Sequence, residues 1–201
     1  TISDEWSNPE VAGELHIKDG QIKIKDIPQK FTALNGTISF DRNRVFTEGI
    51  RGEVGGGSIT VTGTAQLQGS ALVDFSSKAV IENVTVRYPV GMTATLGGSL
   101  YYDGDPSPQT LSGEVVIRRA RYERRVEWKS MLVDFSRGFI RKKSEDIGWT
   151  GDTLLNVRFF GKENILFESN LAKIPLDIDM LFYGTVSQPQ LLGRIEARKG
   201  E

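Results

Sequence analysis

Apolar and polar residues alternate with a period of two through most of this chain. That is the pattern of strands that turn one face to a dry interior and the other to water. From Ser58 to Leu67, the positions Ile59, Val61, Gly63, Ala65 and Leu67 share one face, while Ser58, Thr60, Thr62, Thr64 and Gln66 share the other. The same phase runs through Leu34, Gly36, Ile38 and Phe40, through Met92, Ala94, Leu96, Gly98, Leu100 and Tyr102, and through Leu176, Ile178, Met180 and Phe182. It predicts about a dozen strands. Short turn signals at Asp19-Gly20, Asp41 to Arg44, Asp103 to Pro108, Gly161 to Asn164 and Ser187 to Gln190 separate them, and connections this short join antiparallel neighbours. One stretch departs from the pattern. Trp128, Met131, Leu132, Phe135 and Phe139 recur at spacings of three and four, and Arg141, Lys142 and Lys143 follow, so at most one short helix is expected near 128–139.

Glycine supplies the shape. The chain has 22 glycines in 201 residues but only 7 prolines. A unit of apolar, any, Gly, any, apolar recurs at Val11 to Leu15, Leu34 to Ile38, Ile50 to Val54, Val61 to Ala65, Leu96 to Leu100, Leu111 to Val115, Phe182 to Val186 and Leu191 to Ile195. Each glycine falls in the apolar phase, where it removes a side chain from the interior and lets the sheet bend or another group approach. Thinning of a crowded sandwich core is the other reading of the same pattern. The expected fold is all-β, a curled antiparallel sheet forming an open hydrophobic trough. A single domain over 1–201, with 1–8 as a disordered start, is expected to be a fragment of a longer chain.

Charge and composition narrow the chemistry. Lys and Arg number 25 against 26 Asp and Glu, a net charge of -1, so the chain lacks the basic field of a general nucleic-acid binder, and no nucleic-acid partner is expected. No apolar run reaches the roughly 20 residues of a membrane-spanning helix, and Thr1 to Asn8 lacks a signal-peptide pattern. With no cysteine and one histidine, His16, neither a disulfide nor a multi-histidine metal site is available, and no cofactor or metal is expected. His16 itself falls in the polar phase of its strand. Asp177 and Asp179 share a face, as an acid-base pair requires, yet they alternate with Leu176, Ile178 and Met180, which assigns them to the solvated side. Gly55, Gly56 and Gly57 precede no helix and no Gly-Lys-Ser/Thr, so they read as a turn. Arg118, Arg119, Arg121, Arg124, Arg125 and Lys129 cluster with Tyr122, Glu123, Glu127 and Trp128; they form either a solvated, partly neutralised rim or a contact for anionic lipid headgroups. A carbohydrate-active sandwich or β-helix would require inward carboxylates, and none falls in the apolar phase. No catalytic residue is assigned, and no enzyme is expected.

The apolar face needs cover: a second sheet, a partner protein, or an apolar ligand. Here the sequence resembles the C-terminal domain of the TamB family, the inner-membrane component of the translocation and assembly module within the AsmA-like group. The resemblance runs from about Asn8 onward. It is carried by Val11 to Gly20 (VAGELHIKDG), Leu34 to Phe40 (LNGTISF), Gly55 to Gly63 (GGGSITVTG) and Tyr183 to Ile195 (YGTVSQPQLLGRI), the last followed by the glycine-led Lys199-Gly200-Glu201. The resemblance implies a β-sheet trough, the β-taco, in the periplasmic body of a protein anchored in the inner membrane of a Gram-negative bacterium. It implies the outer-membrane barrel TamA as a partner. It further implies phospholipid transport between inner and outer membrane or, alternatively, a chaperone-like scaffold that assists assembly and secretion of outer-membrane proteins such as autotransporters. The trough lining expected for phospholipid acyl chains is Leu34, Ile38, Phe40, Ile59, Val61, Leu67, Leu96, Leu100, Val115, Ile117, Val157, Phe159, Ile178, Met180, Phe182 and Ile195.

Overall fold

The computed structural model describes residues 11–23, 29–69, 71–87, 91–105, 108–124, 152–169 and 173–198. The expected disordered start at 1–8 and the helix expected near 128–139 lie outside them. The alternating segments form ten strands: β1 (Val11–Lys23), β2 (Lys30–Arg42), β3 (Arg44–Val54), β4 (Gly57–Gln68), β5 (Ala71–Val86), β6 (Met92–Gly104), β7 (Thr110–Arg124), β8 (Leu154–Ser169), β9 (Lys173–Thr185) and β10 (Pro189–Ala197). They hydrogen-bond in chain order into one curled sheet that does not close into a barrel. Consecutive neighbours are what short turns produce, since a few residues can only return the chain beside the strand it has left.

Two expectations are corrected. The sheet is not wholly antiparallel, because β7 and β8 pair in parallel from Thr110↔Leu154 to Arg124↔Ser169. A parallel pair needs a crossover of a dozen or more residues, and the one stretch long enough, residues 125–153, is the one that breaks the alternation. The turn signals at Asp19-Gly20 and Gly161 to Asn164 do not end strands either. They lie inside β1 and β8 as register shifts, between Ile17 and Gly20 and between Gly161 and Ile165. Asp19 (φ 50°) and Glu163 (φ 73°) take the left-handed conformation there, so residues that commonly mark turns mark bulges here, and the strand count falls to ten. The other turns form where expected, among them Gly55-Gly56, whose Gly55 carbonyl accepts the Thr85 N–H at 3.1 Å.

Bulges recur across the sheet, in β2 at Ala33 (φ 49°) and β5 at Asn83 (φ 54°) as well. Asn35 ties two of them: its Oδ1 accepts the Asp19 N–H at 3.1 Å and its Nδ2 donates to the Ala33 carbonyl at 2.8 Å. Each bulge bends its strand and adds right-handed twist. In β7 the pairing steps from Leu96↔Ile117 to Thr95↔Arg119, which leaves Arg118 as the extra residue. Ile117 and Ala120 thereby both keep the apolar face.

Candidate functional site

Residues directly opposed across a ladder share a face, so the pairings trace one surface from strand to strand. One row runs Gly52, Ile59, Ile81, Gly98, Val115, Phe159, Met180, Gly193 across β3 to β10. The next runs Ile50, Val61, Ala79, Leu100, Gly113, Val157, Phe182, Leu191. To one side Leu96 opposes Ile117, and Gly161, Ile178 and Ile195 oppose one another in turn. To the other lie Gly13, Phe40, Val45, Ala65, Phe75 and Gly104, with Leu15↔Ile38 and Gly20↔Leu34 on β1 and β2. All of the expected lining residues therefore stand on this one face, with Leu67 following Ala65 in phase. So do the eight glycines of the repeated unit.

Side-chain charge is missing from it. Between the row of Met92, Tyr122, Phe167 and Ile174 and the row of Gly13, Phe40, Val45, Ala65, Phe75 and Gly104, no Asp, Glu, Lys or Arg occupies this face. The buried hydrophobic residues among those described, Leu34, Val54, Val84, Ala94, Val115, Val157 and Ile165, all belong to it. Of the expected lining only Leu34, Val115 and Val157 are among them. Ile195, on the edge strand, is 56% exposed and the remainder are half-buried. Among the described residues no large side chain is fully buried. A close-packed sandwich core would bury such residues completely, so this face keeps apolar surface available to a ligand. Ring pairs Phe75–Tyr102, Phe159–Phe182 and Tyr122–Phe167, with centroids 4.9, 4.8 and 5.9 Å apart, stiffen it at both ends and in the middle.

A polar knot that the alternation did not reveal sits at one end of the trough. Among the described residues Gln109 and Thr153 are the buried polar ones. The Tyr102 hydroxyl donates to Gln109 Oε1, and Thr153 Oγ1 lies 3.4 Å from the same atom. Their backbones complete the knot, as the Gln109 carbonyl accepts Leu154 N–H at 2.7 Å and that of Thr153 accepts Val186 N–H at 3.0 Å. The knot joins the starts of β7 and β8 and the end of β9, which sets the parallel register. Its only sequence signal is a pair of polar residues immediately before apolar strands.

The opposite face carries the charges. Arg158 grips Asp179 with two hydrogen bonds of 2.8 Å, approaches Glu114 at 3.5 Å and lies 5.1 Å from the Phe160 ring. Arg198 Nε donates to Asp177 at 2.9 Å, and Asp177 also accepts the N–H of the bulge residue Glu163 at 3.4 Å. These bonds hold both aspartates below the ordinary carboxylate range and raise both arginines. Asp177 and Asp179 are thus cross-strand clasps on the outer face, engaged by arginine. His16 is exposed there too, with Nδ1 3.1 Å from Thr37 Oγ1. In the basic cluster Arg118, Arg119 and Arg121 are exposed, and Arg121 pairs with Glu123 at 2.8 Å and with Glu168; Arg125 and Lys129 lie outside the described residues. Among the described residues no group of three or more His, Asp or Glu side chains is arranged to hold a metal, and no helix is long and apolar enough to cross a membrane.

This arrangement defines a class by its architecture, an open ten-stranded β-trough with one uncharged face. No family model, curated protein or solved structure matches the chain.

Proposed function

We propose that this chain is the hydrophobic-groove module of a TamB-like, AsmA-like envelope protein, anchored in the inner membrane with a periplasmic body, that moves phospholipids between inner and outer membrane and engages the outer-membrane barrel TamA. The observation that supports this reading is the uncharged, half-exposed apolar face continuous across ten strands. Each CH2 that leaves water for such a surface gains about 0.8 kcal/mol, so one long acyl chain gains on the order of 10 kcal/mol. Apolar attraction is non-directional and similar along the rows. The sixteen expected lining residues carry no hydroxyl, amide or charged group that would hold a ligand in one position. A chain can therefore slide while its headgroup stays at the open seam.

Mass spectrometry of the protein purified from a Gram-negative host tests the reading, together with photo-crosslinkers placed at Leu96 and Ile178. Co-purifying phospholipid captured at both positions is the expected result. Absence of phospholipid and of any lipid adduct would sink it. Crosslinks to outer-membrane protein strands, with indifference to a charge on the lining, would favour the scaffold role instead.

A further inference from the structure

Strands β7 and β8 run parallel, so residues 125–151 carry the chain from the end of one back to the start of the other. Both strands are interior to the sheet, with β6 and β9 on either side, and the return therefore crosses one of its two faces. Strand β7 has 15 residues, which makes the return at most about 50 Å long. Fully extended, residues 125–151 reach about 90 Å, enough to include the short helix expected near 128–139.

Hydrogen bonds fix which face that is. Leu154, whose side chain is on the charged face, donates its N–H to the Gln109 carbonyl at 2.7 Å and so directs its backbone groups to β7. These directions alternate along a strand. Leu155, Val157 and Phe159, on the uncharged face, therefore direct theirs to β9, as the in-phase Thr153 does in accepting the Val186 N–H at 3.0 Å. In a strand of L-residues that runs upward, a residue whose side chain points at the viewer has its N–H and C=O on the viewer's right. Seen from the uncharged face with β7 and β8 running upward, β9 thus stands to the right of β8 and β7 to its left. A connection that returns in front of this face and steps from left to right is right-handed, and one that returns behind, over the charged face, is left-handed. Connections between parallel strands of one sheet are right-handed in about 98% of cases, because only that hand packs a right-twisted strand's continuation back onto the sheet.

We propose that residues 125–151 cross the uncharged face over β7 and β8 and seat Trp128, Met131, Leu132, Phe135 and Phe139 on it. Side-chain chemistry selects the same face as handedness. Spacings of three and four put those five apolar residues on one side of a helix. On the other face β7 and β8 display Glu114, Arg119, Arg121 and Arg158, against which an apolar stripe would strip water from charge. A helix with its side chains is about 10 Å across, the width of two strands, so the segment occupies β7 and β8 and leaves the flanks of the trough to another ligand. The assignment is independent of phospholipid transport.

Phe135→benzoylphenylalanine in the 201-residue chain places a photo-crosslinker in the segment with little change of shape. Illumination followed by peptide mapping should give adducts within the chain on Val115, Ile117, Val157 or Phe159. Adducts confined to outward residues such as Ser112, Glu114, Asn156 and Arg158, or no adduct within the chain, would overturn the proposal. Trp6→Phe with Trp149→Phe leaves Trp128 as the one tryptophan. Acrylamide should quench it several-fold more slowly in the folded chain than in urea, and equal quenching in the two states would equally overturn the proposal. Neither readout depends on bound lipid. Failure of phospholipid to co-purify would therefore leave the crossing intact, and failure of the crosslinks would leave the transport reading intact.

Discussion

Gly98 and Gly113 face the middle of the trough on adjacent strands, at φ +138° and +134°, a region that side chains of L-residues rarely enter. A Cβ at Gly98 would lie 2.1 Å from the Glu114 carbonyl oxygen, and one at Gly113 would lie 2.2 Å from that of Ser99. Both contacts are with backbone, which cannot swing away. Gly113→Val should therefore destabilise the protein by at least about 2 kcal/mol in urea titration, whereas a valine that merely filled a gap in the lining would leave stability unchanged or higher. Placing these glycines on the apolar face needed only the alternation; their conformation did not show in it, because period two fixes which side a residue faces and not the sign of φ. Acid sensitivity also belongs to individual residues. Hydrogen bonds from Arg158 and Arg198 hold Asp179 and Asp177 below their ordinary value of 3.8, so the folded state binds fewer protons than the unfolded chain. Their contribution is present at neutral pH and is lost as pH falls below about 4 through the depressed folded values. Urea midpoints should fall over that range, and Asp179→Asn should fall less steeply.

At the level of the strand, the bulges show why alternation can continue across an apparent interruption. Val115 and Ile117 are in odd phase and Ala120 and Tyr122 in even phase, and Arg118 absorbs the difference. Removing Arg118 leaves Ile117, Arg119 and Ala120 in regular alternation, so the inner face survives with less bend. That deletion should cost no more than about 2 kcal/mol. Removing Glu114, inside a regular run, throws one half of β7 onto the wrong face, because a one-residue slip reverses every side chain. Loss of cooperative unfolding is expected there by circular dichroism. The Arg118-Arg119 phase change was visible in the chain, whereas the β8 bulge was not. Gly161 and Ile165 keep the same odd phase across it, so the extra residues left no mark in the pattern and resembled a turn.

For the whole molecule, the question is what the uncharged face holds. Leu100→Asp places an unpartnered charge among Val61, Ala79, Gly113 and Val157, and burial of such a group beneath a lipid carries a large desolvation penalty. If the trough carries acyl chains, bound phospholipid should drop at least about tenfold, while Thr62→Glu, opposite Lys78 on the outer face, should leave it unchanged. Equal lipid content in both variants would contradict a conduit. The sequence by itself determined the strand class, the division into a charged and an uncharged face, the residues on each and the glycines among the hydrophobes, because all of these are local consequences of period two. Only the tertiary structure decided the parallel β7–β8 pair, the knot of Tyr102, Gln109 and Thr153 at its start, the arginine clasps on Asp177 and Asp179 and the uninterrupted pairing of β9 with β10. Each depends on which strands become neighbours and in what register, and that is settled by hydrogen bonds between residues far apart in the chain.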